Sequence, residues 1–305
     1  MNIISRIRQD FRKSYQSIKL PQVEETFDIY FSRFFGYYFA VLAKRMSLTP
    51  NQVSLSSLFF GLIAGVLFYF QENFTLMMTA CFLITLAGLL DSADGQLARM
   101  TGQSSEFGRK VDALIDILVF SAAYLGGLFY FFHHGYGWWI VPLAVGAGYF
   151  HSIKSAVYEF YKTEFIYYLN EGKGCHRVSY IEEVMANPPK KGIGLKIMHY
   201  MEIDYIQKQA MFQGRKRAVR EQFEQWALGK ESAKFKDKYN KIQTSILTWW
   251  ALVGGTNVHR TALMVCSLFG RMDIYFFFSI SITVFLIPIA IWQNSLDRRL
   301  IEEMK

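Results

Sequence analysis

Long apolar runs separated by short polar or charged turns form the dominant pattern of hydrophobic positions along the chain. Six of these runs approach the roughly 20 residues that an α-helix needs to cross a bilayer. Thr49, Pro50 and Asn51 precede the first run and are typical of a helix start. The six predicted spans cover residues 53–70, 74–97, 111–132, 137–161, 242–269 and 274–292. The pattern therefore predicts an all-α integral membrane protein built on a bundle of six transmembrane helices.

A shorter apolar and aromatic stretch, residues 29–42, precedes these runs and is interrupted by Arg33. Lys44 and Arg45 follow it, and cations at the end of an apolar helix commonly extend toward lipid headgroups. We therefore expect an N-terminal interfacial helix, with a seventh span as the alternative. The predicted segments are an N-terminal cytoplasmic or interfacial segment (1–48), a transmembrane domain (49–163 and 242–293), a cytoplasmic insert (164–241) and a C-terminal tail (294–305).

The composition agrees with a membrane protein, since 52% of the 305 residues are hydrophobic and only 19% are charged. Soluble domains usually contain about 25% charged residues. The net charge of +8 at pH 7 favours contact with membrane lipids, whose anionic headgroups attract Lys and Arg on the cytoplasmic side. A nucleic-acid partner is not predicted, because no nucleic-acid-binding motif accompanies the charge.

The charges of the connecting loops predict the orientation of the spans. Loops 71–73 and 133–136 contain no Lys or Arg, whereas loop 99–110 contains Arg99, Arg109 and Lys110. By the positive-inside rule, loop 99–110, the insert and both termini face the cytoplasm. The protein would then be multi-pass, and in a bacterium it would lie in the inner membrane. Arg271, between the last two spans, is the exception to the rule.

The insert carries fifteen Lys and Arg against ten Asp and Glu. Residues 201–230 have helical periodicity and contain a basic cluster. The cluster consists of Arg215, Lys216, Arg217 and Arg220. This pattern predicts a surface amphipathic helix against anionic lipid, and a solvated helix face is an equal alternative.

Two pairs of acidic residues interrupt the second and third spans. Asp91 and Asp94 are three residues apart, and Asp112 and Asp116 are four apart, so each pair shares one helix face. The connecting turn is short, which predicts antiparallel neighbouring helices whose carboxylates meet near the cytoplasmic side. A charged side chain at the bilayer centre costs about 2.5–3.5 kcal/mol, so the group needs protonation or divalent cations. Hard oxygen ligands favour Mg²⁺ or Mn²⁺, and we expect two ions.

The residues beside the acidic pairs are suited to a nucleotide. Gly95 and Ala98 leave room for a flat base or a ribose to approach the helix backbone. Arg99 follows at the membrane edge, where a guanidinium can bind a phosphate through two hydrogen bonds. Thr101 and Ser105, in the polar turn, supply hydroxyl groups to the same ligand.

The combined spacing resembles the signature of the CDP-alcohol phosphotransferase family, with every fixed position present. The pattern is Asp91-x2-Asp94-Gly95-x2-Ala98-Arg99-x8-Gly108-x3-Asp112-x3-Asp116. The resemblance extends to the six-span layout and to Pro50-Asn51 before the first span. It implies a homodimer of six-helix protomers that transfers a substituted phosphate from a CDP-activated lipid donor to an alcohol and releases CMP.

The resemblance also implies residue roles. Asp91, Asp94 and Asp112 would be metal ligands, and Asp116 would be the general base and a further ligand. Gly95 and Ala98 would line the cytidine site, and Arg99 would contact the diphosphate. Asn51 and Gly108 are expected to join Thr101 and Ser105 at the donor.

Cations in later spans indicate the acceptor. Lys154 has His151 three residues before it, and Arg260 interrupts the fifth predicted span. Buried cations suit an anionic acceptor such as an inositol phosphate, with CDP-diacylglycerol as the donor. The alternative is that they only balance the four carboxylates or extend to the interface.

The sequence is also compatible with other functions. An aminoalcohol phosphotransferase would use CDP-ethanolamine or CDP-choline with diacylglycerol. A membrane prenyltransferase also binds diphosphates through acidic pairs and Mg²⁺, but it would not require the Gly95, Ala98, Arg99 and Gly108 pattern. A cation transporter could use the four carboxylates without any nucleotide.

Overall fold

The computed structural model describes residues 11–12, 27–173, 175–189 and 192–305. Every regular element within these ranges is helical, which confirms the predicted all-α class. A one-turn π-helix, Asp28–Ser32, leads into the first α-helix, and a 3₁₀ turn, Ile282–Phe285, joins the last two. The α-helices are α1 (Arg33–Arg45), α2 (Pro50–Leu67), α3 (Phe74–Thr101), α4 (Glu106–His133), α5 (Ile140–Leu169), α6 (Ile181–Met185), α7 (Ile193–Phe212), α8 (Arg217–Leu228), α9 (Ser232–Gly254), α10 (Thr256–Leu268), α11 (Met272–Ser281) and α12 (Leu286–Met304).

Four helical stretches of the described chain are long and apolar enough to cross a membrane. They are Pro50–Leu67, Phe74–Thr101, Phe107–His133 and Met272–Met304. These correspond to the first three predicted spans and the last. The fourth predicted span falls on α5, which includes the polar residues His151 and Lys154. The fifth is divided between α9 and α10 by Gly255, which has an extended backbone conformation.

The chain divides into two compact units. The first comprises Met1–Gly148 and Arg260–Phe278, and the second comprises Tyr149–His259 and Ser279–Lys305. These boundaries differ from the predicted division into a transmembrane domain and an insert, because the second unit takes in the insert together with most of α5 and all of α9 and α12. The functional division of the chain stays a prediction.

Helix α2 is central to the first unit, and it begins where the sequence predicts. Thr49 caps it with a reciprocal Gln52 interaction, and Pro50 occupies the first turn, where its missing N–H costs nothing. The far end of α2 approaches α4 closely through glycines. A Cβ on Gly65 would lie 2.4 Å from the Ala122 Cβ, and one on Gly126 would lie 2.1 Å from the Gly65 carbonyl oxygen. Small residues permit this separation, as is common between membrane helices.

Helix α1 occupies the stretch for which an interfacial helix is predicted. Ser32, the last residue of the π-helix, and Gly36 and Ala40 of α1 recur every four positions and are buried. Ala40 and Ala43 join Val53 of α2 and Ala93 and Leu97 of α3 in one apolar cluster. The opposite face exposes Phe35, Tyr38 and Leu42. The location of this helix relative to the membrane stays a prediction.

A buried network of ionic groups holds the second unit together. Arg215, between α7 and α8, donates two hydrogen bonds of 2.8 Å to the Asp297 carboxylate on α12. It also donates to Glu164 on α5 at 2.9 Å, and Arg220 on α8 donates to the other Glu164 oxygen at 2.6 Å. Gln243 donates to Asp297 as well. Each carboxylate is therefore matched by guanidinium or amide donors.

The predicted amphipathic helix over residues 201–230 is wrong in two respects. The segment is two helices, since α7 ends at Phe212 and α8 begins at Arg217. Arg215 and Arg220 are only 2% and 5% exposed, so their charges serve Glu164 and Asp297 inside the unit and do not face lipid headgroups. Lys216 and Arg217 are exposed.

The network predicts a large loss of stability on removing Arg215. Arg215→Met leaves the buried Asp297 carboxylate with amide donors alone, and breaking a buried ion pair costs about 3–5 kcal/mol. Arg217→Met is the matched control, because Arg217 is exposed and its i,i+4 pair with Glu221 contributes about 0.3–0.5 kcal/mol. Thermal unfolding in detergent micelles measures both variants. Equal melting temperatures for the two would contradict the structural role of Arg215.

Candidate functional site

A short turn joins the two helices that carry the acidic pairs. Gly102 ends α3 with a φ of 67°, a left-handed conformation that glycine adopts without steric cost. The Ser105 hydroxyl then accepts a hydrogen bond from the Gly108 N–H at 3.0 Å and starts α4. Helices α3 and α4 each pack more closely on α2 than on one another, whereas the sequence predicts direct neighbours. Their acidic side chains extend across the space beside α2.

Three of the four predicted carboxylates come together. Asp91, Asp94 and Asp112 each offer one oxygen, and these oxygens lie within 4.8 Å of one another. Asp94 is buried, whereas Asp91 and Asp112 are half-buried. Asp116 is half-buried one turn further along α4, and its charge repels that of Asp94. The arrangement concentrates negative charge in a small volume between two helices that are apolar enough to cross a membrane.

The donor set and its spacing fit a divalent cation. Oxygens bound to one Mg²⁺ at about 2.0–2.1 Å lie no more than about 4.2 Å apart, so a small inward movement of the three carboxylates would complete a site. Carboxylate oxygens are the ligands that Mg²⁺ and Mn²⁺ prefer. The Asp91, Asp94 and Asp112 side chains could therefore hold such an ion.

Ser54 is a contact to this group that the sequence patterns did not indicate. Its hydroxyl donates to the Asp94 carboxylate and also lies 3.1 Å from the Pro50 carbonyl oxygen on its own helix. This contact holds the Asp94 carboxylate in place from helix α2. The signal was available, since Ser54 follows Asn51 by three residues in the first turns of a helix expected to adjoin the acidic pairs.

Two arginines provide positive charge beside Asp91. The charges of Arg260 on α10 and Arg33 on α1 both attract the Asp91 carboxylate. The Arg260 guanidinium lies directly against α3 at Gly88, where a Cβ would be 2.0 Å from its Nη1 atom. Gly88 precedes Asp91 by three residues, so the missing side chain makes room for this cation on the face of Asp91.

The predicted donor-binding residues cluster at the same end of α2, α3 and α4. Arg99 folds back along α3, since a Cβ on Gly95 would lie 3.6 Å from its Nη1 atom. Asn51 is exposed in the first turn of α2. The Thr101 hydroxyl donates to the Leu97 carbonyl oxygen at 2.8 Å, so it can offer a ligand only acceptor capacity in this arrangement. Ala98 is half-buried on α3.

The predicted acceptor-binding residues do not share one setting. Arg260 belongs to the first unit, with the carboxylates, whereas His151 and Lys154 belong to the second. Lys154 is fully buried, and its ammonium donates to the Ser279 carbonyl oxygen and lies 3.4 Å from the Ser279 hydroxyl and 3.1 Å from the Thr283 hydroxyl. The His151 ring stacks on the ring of His259 at 3.9 Å. The Lys154 donors are therefore occupied within their own unit.

Comparison with known proteins agrees with this geometry. The profile of the CDP-alcohol phosphatidyltransferase family matches residues 47–158, the range that holds all four acidic residues. Residues 47–158 form a CDP-alcohol phosphatidyltransferase domain. Arg33 and Arg260 lie outside this domain, and so does most of the second unit.

Named relatives match part of the same region. The chain is 33% identical over 100 residues to CDP-diacylglycerol–serine O-phosphatidyltransferase of Helicobacter pylori, and this covers 33% of the chain and 40% of the relative. It is 36% identical over 88 residues to archaetidylinositol phosphate synthase of Pyrococcus horikoshii, covering 27% of the chain and 44% of the relative. The chain thus spans less than half the length of these relatives.

The Ser54 contact predicts that this hydroxyl supports metal binding. Ser54→Ala removes the hydrogen bond that fixes Asp94, and loss of such an outer-shell partner typically lowers metal affinity about 10–100-fold. Mn²⁺ titration of the purified protein, followed by electron paramagnetic resonance, measures the change. Ser56→Ala is the matched control on the same helix, because the exposed Ser56 donates only to the Gln52 carbonyl oxygen. Indistinguishable Mn²⁺ affinities for the two variants would contradict this role of Ser54.

Proposed function

We propose that this protein is a phospholipid-synthesising phosphotransferase. It moves the phosphatidyl group of CDP-diacylglycerol to the hydroxyl of a polar acceptor and releases CMP. The observation that carries the proposal is the meeting of Asp91, Asp94 and Asp112 within 4.8 Å inside a CDP-alcohol phosphatidyltransferase domain. The name of the Helicobacter pylori relative, which specifies CDP-diacylglycerol, supports the choice of donor.

The membrane layout of the proposal has six spans. The four apolar stretches supply the first, second, third and sixth spans. Helix α5 supplies the fourth, since its 30 residues extend about 45 Å. Helices α9 and α10 form the fifth as a broken pair. Helix α1 lies at the interface, and the active site and both termini face the cytoplasm, as the loop charges favour. We place two such chains in a homodimer, on the family resemblance.

Asp91, Asp94 and Asp112 hold the divalent metal in this proposal, and Asp116 completes the set. Two ions, Mg²⁺ or Mn²⁺, would balance four carboxylates. When bound, they would polarise the diphosphate and stabilise the negative charge that develops on departing CMP. Ser54 keeps the Asp94 carboxylate in place from α2.

The chain's own residues account for the remaining steps. Arg99 binds the diphosphate, and Gly95 and Ala98 let cytidine approach α3 closely. Asp116 accepts the proton of the acceptor hydroxyl as its oxygen attacks the lipid-bearing phosphorus. The bond from that phosphorus to the bridging oxygen breaks, and CMP leaves with the bonding pair. Asn51, Thr101, Ser105 and Gly108 line the donor site at the ends of α2, α3 and α4.

The acceptor in this proposal is small and polar and carries an anionic group. Arg260 supports the choice, because its guanidinium lies beside Asp91 and can pair with a phosphate or carboxylate of the acceptor. The proposed acceptor site does not include Lys154, whose donors are occupied, or His151, whose ring stacks on that of His259. The relatives' names cite serine and an inositol phosphate product, and either acceptor meets the requirement.

Replacing the proposed base gives a specific kinetic result. Asp116→Asn keeps the shape but cannot accept a proton, so kcat should fall at least 10²–10⁴-fold, the usual contribution of a general base. Affinity for CDP should change little. Asp237→Asn, at an exposed position on α9, is the control and should keep wild-type turnover. Wild-type kcat in Asp116→Asn would remove Asp116 from the mechanism.

A substrate panel tests the reaction itself. With Mn²⁺ or Mg²⁺ present, CDP-diacylglycerol plus serine or an inositol phosphate should release CMP, and mass spectrometry should identify the matching lipid. Chelation by EDTA should abolish the release. CMP release only from CDP-ethanolamine or CDP-choline with diacylglycerol would establish the aminoalcohol phosphotransferase instead. Turnover of a prenyl diphosphate, or cation transport without nucleotide, would overturn the proposal.

A further inference from the structure

Helix α1 lies outside the family domain and docks onto α3 at the turn that carries Asp91. Gly36 faces this turn, since a Cβ there would lie 2.9 Å from the Ser92 hydroxyl and 3.0 Å from the Gln96 amide nitrogen. The same Gln96 nitrogen donates to the Arg33 carbonyl oxygen at 3.1 Å. The missing side chain and the hydrogen bond together place the start of α1 beside the carboxylate group.

Arg33 is the first residue of α1 and is half-buried. Its charge attracts the Asp91 carboxylate from one helix, and Arg260 does so from another. The sequence pattern treated Arg33 only as an interruption of an apolar stretch. Its position indicates that the N-terminal helix brings a cation to the site.

The charges of the loaded site require such cations. Four carboxylates are balanced by two divalent ions, and the diphosphate of a CDP-linked donor then adds about two negative charges. An excess of this size at membrane depth is costly unless neighbouring cations offset it. Arg33 and Arg260, whose charges act on Asp91, add to the positive charge that Arg99 brings to the diphosphate. Arginine suits the task because its guanidinium remains ionised and presents donors in the geometry of phosphate oxygens.

We propose that Arg33 is a substrate-binding residue whose guanidinium pairs with an oxygen of the donor diphosphate, so that helix α1 forms part of the active site. The inference rests on the proposed function. Without substrate, the Arg33 charge acts on the Asp91 carboxylate. When the donor binds, the Arg33 guanidinium pairs with the diphosphate, and the carboxylates bind the metal.

The proposal predicts different effects on two binding equilibria, that of the divalent cation and that of the diphosphate. Loss of a residue with a purely structural role would weaken both. Removing a cation beside Asp91 does not weaken binding of a divalent cation in the nucleotide-free protein, because one repulsive charge is lost. The same change weakens binding of an anionic diphosphate.

The experiment uses the full chain with Arg33→Met, Arg33→Lys and, as a matched control, Arg45→Met, which alters an exposed arginine at the other end of α1. Mn²⁺ affinity is measured by electron paramagnetic resonance without nucleotide, and CDP affinity by calorimetry at saturating Mn²⁺. Arg33→Met should bind Mn²⁺ at least as tightly as the wild type and bind CDP about 10–100-fold more weakly, the loss expected for one charge-assisted hydrogen bond. Arg33→Lys should recover part of the CDP affinity, and Arg45→Met should match the wild type.

Three results overturn the inference. If Arg33→Met binds CDP like the wild type, Arg33 is only a counterion of Asp91. If it binds both Mn²⁺ and CDP more weakly, Arg33 is structural. If the wild type binds neither, the proposed function fails as well, which distinguishes that failure from the first two.

Gly36→Leu provides an independent check that leaves Arg33 intact. The larger side chain cannot fit against Ser92 and Gln96, so it should displace α1 and weaken CDP binding, with Mn²⁺ binding weakened as well. Unchanged CDP binding in a folded Gly36→Leu variant would also count against a role for α1.

Discussion

Repulsion among acidic side chains that are partly removed from water is the constraint on which the first unit depends. Asp91, Asp94 and Asp112 place oxygens within 4.8 Å of one another, and Asp116 adds to the field. No arrangement of the carboxylates alone relieves this cost, so other groups must. Ser54 donates to one of them, Gly88 leaves room for a guanidinium, and Gly36 allows α1 to approach. The identity of each of these neighbouring residues is explained by the need to offset repulsion among the carboxylates.

The second unit solves a similar problem without a ligand. Glu164 and Asp297 are more deeply buried than Asp91 or Asp112, yet Arg215 and Arg220 meet them with hydrogen bonds of 2.6–2.9 Å. Their charges are balanced within the protein, and such a network has nothing left to attract a cation. In the first unit, by contrast, the carboxylates adjoin one another: three of their oxygens lie within 4.8 Å, and two arginine charges act on Asp91. This difference in local charge balance distinguishes the structural network of the second unit from the candidate metal site of the first.

Local spacing made the helices and the acidic group predictable. Asp91 with Asp94, and Asp112 with Asp116, reveal a shared helix face within four residues, and the short turn brings the two helices into one region. Partners far apart in sequence gave no such signal. Arg215 and Asp297 are 82 residues apart, and a basic cluster has the same appearance whether it faces lipid or a buried carboxylate. The fifth predicted span, residues 242–269, covers two helices that meet at Gly255, because one apolar run can hold two helices.

The distribution of cations bears on how far the catalytic unit extends along the chain. The family domain ends at residue 158 and begins at 47, so it contains the carboxylates but neither Arg33 nor Arg260. Within the domain, Arg99 is the arginine of the signature, and it lies one turn beyond Gly95 toward the end of α3. In the proposed function, a diphosphate over the carboxylates would meet positive charge from Arg99 within the domain and from Arg33 and Arg260 on either side of it in sequence. Under the proposed function, the N-terminal helix and α10 would take part in the chemistry, because each places an arginine charge beside Asp91.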